Sequence, residues 1–242
     1  MVGSSSEFPQ VIFAGAPKCA STWIYECFAD HPEIVTHDDD SLEFFNIHYN
    51  RQLSWYSKQF DSDGEKAVVE FTPSYLYSDE VPQRIANELP DVELLFCLRN
   101  PMERAYSQWW HGYSEGYWSY EFEDMLDTYP PFQLWVEPGF YNHHLTRFDE
   151  YFSSDDINIV LFDDLVDDNE AFISRLYDFA GVDPDYIPSI LGQKSNSART
   201  LSPDLYKRVV RWARVNVPDN INHVFRPFWE QIRWLIEDRS PY

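Results

Sequence analysis

Positive charge is scarce in this chain. Its 242 residues hold 18 lysines and arginines against 41 aspartates and glutamates, giving a formal net charge of −23 and a sequence pI near 4.4. Such a balance repels polyphosphates at low salt and excludes nucleic acid as the expected partner. The acids are dispersed, as in Asp38-Asp39-Asp40, Asp155-Asp156, Asp163-Asp164 and Asp167-Asp168. That dispersion reads as adaptation to the high-salt cytoplasm of an extreme halophile, where charges are screened within about 3 Å at 1 M salt. An acidic face for a cationic partner would gather the acids on one segment instead. Cysteine is scarce too. Cys19, Cys27 and Cys97 are odd in number and lack ligand spacing, which leaves no disulfide framework and no metal motif. A reducing, cytoplasmic location is the expectation. No apolar run approaches the ~18 residues of a membrane span, and the N-terminal segment Met1 to Pro9 lacks the basic and apolar regions of a signal peptide.

Apolar residues are plentiful, at 44%, and aromatics reach 18%, so the acidity does not imply disorder. A short tail, 1–10, and one domain, 11–242, is the expected organisation. Apolar runs predict strands at 11–14, 34–36, 67–71, 92–98 and 157–162. Helical patterns fall at 22–30, 50–60, 80–89, 101–115, 139–152, 169–180, 203–216 and 226–237, with long loops near Pro130-Pro131 and 183–203. This alternation predicts a three-layer α/β fold, with a central parallel sheet, helices on both faces, and ligands at the carboxyl ends of the strands.

Two strand ends carry chemistry. The run Val11 to Ala14 stops at Gly15-Ala16-Pro17-Lys18, and a helix restarts at Ser21-Thr22-Trp23. This is a P-loop-like strand-loop-helix, in which backbone N–H groups and a helix dipole suit an oxyanion. Against G-x-x-x-x-G-K-[ST], Ala20 stands at the second glycine, Ser21 at the lysine, and Lys18 comes three residues early. A triphosphate and magnesium are poorly served; a single phosphate bearing one further anionic group fits better. The second strand, 92–98, ends at Arg99. There Asn100 suits an N-cap, Pro101 the first helical position, and Glu103 the reciprocal acid of a capping box. Ser107 shares a helical face with Asn100, Glu103 and Arg104, so Arg99 and Ser107 together suit a second phosphate.

These residues resemble the sulfotransferase superfamily, whose donor is 3′-phosphoadenosine 5′-phosphosulfate (PAPS) and whose product is the 3′,5′-bisphosphate (PAP). Pro17-Lys18-Cys19-Ala20-Ser21-Thr22-Trp23 is similar to the family's 5′-phosphosulfate loop, P-K-[ST]-G-T-T-W, with Cys19-Ala20 in place of its small pair. Arg99 followed eight residues later by Ser107 is similar to its 3′-phosphate element. Glu43-Phe44-Phe45, Trp55-Tyr56, Glu70-Phe71-Thr72-Pro73-Ser74-Tyr75 and Gly139-Phe140-Tyr141 resemble the branch that sulfates glycans, heparan sulfate included.

The resemblance implies transfer of a sulfuryl group, without a metal, to a hydroxyl or amine of a glycan or glycolipid. Lys18 would stabilise the leaving phosphate, and Lys194, Ser195 and Arg199 would lie on a loop closing over the donor. The branch carries Lys-Glu where this chain has Asp40-Ser41. Glu43, in phase with Ser41 if the segment is extended, is therefore the expected base; Asp40 and Glu70 are rivals for that role. Glu70 and His111 are expected to border the acceptor. Two other classes remain on the sequence alone: a nucleotide kinase or triphosphatase using Asp163 or Asp164 for metal, and a non-catalytic module presenting Lys207, Arg211 and Arg214.

Overall fold

The structure, a computed structural model, describes residues 8–191 apart from 40, 63, 65, 123 and 125–134. Five strands form one sheet: β1 (Val11–Gly15), β2 (Ile34–Val35), β3 (Ala67–Phe71), β4 (Glu93–Leu98) and β5 (Ile157–Leu161). Their order is β2-β3-β1-β4-β5, and every pairing is parallel. All of β1 is buried, as are Val68 to Phe71 and Leu94 to Cys97. Strands buried on both faces need apolar side chains on both, which is why these segments read as continuous runs rather than alternating ones.

The helices are α1 (Ser21–Asp30), α2 (Leu53–Tyr56), α3 (Val81–Glu88), α4 (Pro101–Ser114), α5 (Tyr141–Phe148), α6 (Phe162–Asp167) and α7 (Asn169–Phe179). Helix α1 packs on α7, and α3 on α5, giving the layers that cover the sheet. The chain leaves β1 toward β2 and β3 on one side and later places β4 on the other side of β1. The crevice between the ends of β1 and β4 is thus the topological switch point, where open α/β sheets bind ligands.

The expected helix 50–60 is in fact one turn, α2, followed by a 3₁₀ turn Ser57–Gln59. Tyr56 explains this: it is fully buried and stacks on Phe44 at 4.4 Å between ring centroids, and core packing outweighs the helical pattern. The expected helix 139–152 is confined to α5, preceded by a 3₁₀ turn Glu137–Gly139. Residues 183–191 form turns pinned to the end of α1, where Tyr186 donates to the Asp30 carbonyl (2.9 Å) and the Ser189 N–H to its carboxylate (2.7 Å). The expected helices at 203–216 and 226–237 and the Pro130-Pro131 loop lie outside the described residues. Among the described residues no helix is long and apolar enough to cross a membrane.

Candidate active site

The loop after β1 requires small residues at its start. A Cβ on Gly15 would stand 2.6 Å from the Leu76 Cβ and 3.1 Å from the Pro73 carbonyl, because the 3₁₀ turn Pro73–Tyr77 packs directly on the strand end. Beyond it the chain passes through the left-handed region at Lys18 (φ 66°) and Ala20 (φ 65°). Turns of this kind make concave, anion-binding arrays of N–H groups. Ala20 is the N-cap of α1, and no side chain caps the helix, so its first N–H groups keep their capacity for an anion. A left-handed alanine costs about 1–2 kcal/mol, and the resembling motif has glycine in that place. Ala20→Gly is therefore expected to raise stability by up to ~1 kcal/mol after glycine's own entropic cost, or a few degrees in thermal unfolding. A lower melting temperature would show that the loop holds alanine without strain.

Lys18 is half-buried, and burial, then the nearby Arg104 cation, lowers its pKa below the ordinary lysine value. Ser21 is half-buried and Thr22 exposed, so both hydroxyls border solvent at the helix start. Cys19 and Trp23 turn inward. The Cys19 thiol, fully buried, approaches the Tyr141 hydroxyl at 3.8 Å and is pushed up to about 11, chiefly by burial. Trp23 packs against Phe172. These two expected donor-loop residues can meet an anion only through their backbone.

At the end of β4, Arg99 is 5% exposed, with its guanidinium stacked over the Phe162 ring at 4.4 Å. Asn100 caps α4 as expected, accepting from the N–H groups of Met102 (3.0 Å) and Glu103 (3.4 Å). Glu103 does not complete a capping box. It reaches Arg99 instead, with the Arg99 Nη2 donating to its carboxylate at 3.1 Å and Nε at 3.3 Å. A charged partner outcompetes a neutral backbone N–H for a carboxylate. Ser107 is half-buried on the second turn of α4. Tyr141 joins the two strand-end loops: its hydroxyl donates to the Arg99 carbonyl at 2.9 Å while touching Cys19.

Glu43 stands on a third segment, with φ 54°. Its carboxylate accepts from Ser41 (3.1 Å), Ser74 (2.7 Å) and Asn46. The segment is not extended at Glu43, so the expected alternation with Ser41 does not hold; the Ser41 hydroxyl meets Glu43 through a side-chain hydrogen bond instead. Glu70 has a different place from the one expected. It is wholly buried and accepts from Tyr75 (2.6 Å), Thr72 (2.9 Å) and Tyr56, with its carboxyl pushed up to about 7, mainly by burial. Thr72 Oγ1 in turn accepts the Leu42 and Glu43 N–H groups, each at 3.2 Å. Glu70 therefore supports the Glu43 segment from within and has no exposed surface to offer an acceptor.

The Pro73–Tyr77 turn links these parts: Ser74 holds Glu43, Leu76 abuts Gly15, and Tyr77 feels both charges. Burial raises the Tyr77 pKa, as does Glu43, while Arg104 lowers it. His111 is exposed on α4, and its pKa is lowered by partial desolvation and, through space, by the Lys18 cation. Asp40, Lys194, Ser195 and Arg199 lie outside the described residues, as do Lys207, Arg211 and Arg214. Asp164 pairs with Arg175 at 3.2 Å, and among the described residues no three histidine, cysteine or acidic side chains converge as a metal site. Tyr77, Arg104 and Tyr141 carry no assigned role in the sequence reading. For Arg104 the available signal was its place three residues before Ser107 on one helical face.

The chain matches the family model described as the sulfotransferase domain over residues 8–199. It is 30% identical over 182 residues to mouse heparan sulfate glucosamine 3-O-sulfotransferase 6, covering 72% of this chain and 53% of that protein. It is 26% identical over 198 residues to mouse bifunctional heparan sulfate N-deacetylase/N-sulfotransferase 4, covering 74% of this chain and 23% of that protein. The chain thus spans about half the length, or less, of these relatives. In fold it is similar to a sulfotransferase from Alicyclobacillus acidocaldarius, with a TM-score of 0.72, 24% identity, and coverage of 87% of this chain and 93% of that one. It is also similar to mouse sulfotransferase SULT7A1 complexed with PAP, at a TM-score of 0.57, 12% identity, and 94% and 90% coverage. With four-fifths of its length matched by the family model, the chain belongs to the sulfotransferase domain family.

Proposed function

We propose that the chain transfers a sulfuryl group from PAPS to a hydroxyl or amine of a glycan or glycolipid acceptor. The observation that carries this reading is the pair of loops at the switch point, tied by Tyr141, with Lys18 on one, Arg99 on the other, and the Glu43 carboxylate on the adjoining segment. The 5′-phosphosulfate occupies the Lys18 loop and the N-terminus of α1, with Ser21 and Thr22 as hydroxyl donors. The 3′-phosphate goes to Arg99 and Ser107, exchanging the Glu103 carboxylate for a dianion on the same guanidinium fork.

With the donor so fixed, the acceptor oxygen attacks sulfur in line. The new S–O bond forms as the bond from sulfur to the phosphate oxygen breaks. Glu43 takes the acceptor proton, and Lys18 stabilises charge on the leaving phosphate. His111 borders the acceptor. The similarity to heparan sulfate sulfotransferases supports a glycan acceptor. Family membership favours this reading over the kinase one, and transfer is proposed to run without a metal. A cytoplasmic, high-salt setting remains our proposal from composition.

Calorimetry separates the two phosphate positions. Arg99→Ala should weaken PAP binding by roughly 10- to 100-fold, the range of a lost charged hydrogen-bond pair, while adenosine 5′-phosphate should bind wild type and variant alike. Equal affinity of the two proteins for PAP would dismiss the second cradle.

A further inference from the structure

Arg104 lies in the second turn of α4, five residues after Arg99 and three before Ser107, and is 1% exposed. Its Nη2 donates to the Trp135 carbonyl. Among the described residues, its buried Nε has no hydrogen-bond partner and no carboxylate pairs with the guanidinium. Gly139 closes one side: a Cβ there would sit 3.0 Å from the Pro101 Cβ and 3.6 Å from the Arg104 Nε. Among the described residues, the titratable groups that feel its charge are Lys18, Cys19, Tyr77, Tyr141 and His144, none of them an anion in its ordinary state. Arginine does not shed its proton under such conditions. An uncompensated buried cation weighs heavily against folding unless something else neutralises it.

We propose that Arg104 is a buried counter-charge for the anion held by the Lys18 loop, a third cation of the site that is neutralised only when the donor's phosphate group binds. The inference rests on the proposed function. Arg104 is coupled to Lys18 of that loop and to Cys19 and Tyr141, which touch each other in the buried interior, where the low dielectric makes a charge felt strongly without contact. In the free protein Arg104 and Lys18 repel each other. An incoming anion offsets that repulsion, so part of its binding energy comes from the relief of two like charges.

The test compares wild type, Arg104→Met and Arg104→Lys at one salt concentration, by thermal unfolding with and without PAP and by calorimetry. Without PAP the Met variant should melt at or above wild type, because a similar volume is filled and an unpaired charge removed. Its PAP affinity should fall at least tenfold, its ligand-induced rise in melting temperature should shrink, and the Lys variant should recover most of the affinity. A Met variant that melts well below wild type, or fails to fold, would give Arg104 a structural role and overturn the inference. So would unchanged PAP affinity in the Met variant, or a Lys variant as weak as the Met one. If wild type bound no PAP, the functional reading would fall, and this inference with it.

Discussion

Lys18→Ala should lower turnover by about 10³-fold while leaving the melting temperature close to that of wild type. Removal of one preorganised group that stabilises transition-state charge typically costs 10²–10³-fold, and here the group carries a full charge in a half-buried loop. Stability should hold because, among the described residues, Lys18 forms no hydrogen bond or ion pair, and its nearest charged neighbour in effect, Arg104, repels it. Initial rates with labelled PAPS measure the first quantity, and a retained tenth of wild-type turnover would exclude Lys18 from the leaving-group role. The pH profile carries the same assignment. Lys18 must be protonated to act, and burial together with Arg104 moves its titration below the ordinary lysine value of 10.5. Activity should therefore decline on the alkaline side at a lower pH than a free lysine would give, and Lys18→Ala should lose that limb.

Glu43→Gln should depress turnover by 10²-fold or more with PAP affinity nearly unchanged. A carboxylate has about four lone-pair sites, and Ser41, Asn46 and Ser74 take three, two of them on Oε2. One site on Oε1 is left for an acceptor proton. Glutamine keeps the shape but brings an NH₂ among three donors, so a stability loss of about 1–3 kcal/mol is also expected. The contrast between lost turnover and retained PAP binding separates a base from a mere support. Should Glu43→Gln keep more than about a tenth of turnover while Asp40→Asn collapses, the base would be Asp40; a loss in Glu70→Gln would report only its buried support of the Glu43 segment.

Much of this site is written locally. The run Val11 to Gly15, the Pro17-Lys18 turn, and the Asn100-Pro101 cap depend on neighbours within a few residues, so periodicity and cap chemistry alone placed both anion elements at strand ends. The strand order, and with it the switch point that brings those ends together, came with β1 pairing to β3 and β4, segments over 50 residues away. Only that packing distinguished the two acids beside aromatic residues. Glu70 lies on a central strand and is enclosed by Tyr56 and Tyr75, whereas Glu43 stays half-exposed on a loop held by Thr72. The same distinction separates Ser107 from Arg104 on one helical face, and turns Cys19 and Trp23 inward from a loop whose Lys18, Ser21 and Thr22 border solvent. Burial is a property of residues that meet across the fold, so a linear pattern names the chemistry available and the tertiary structure decides which groups can use it.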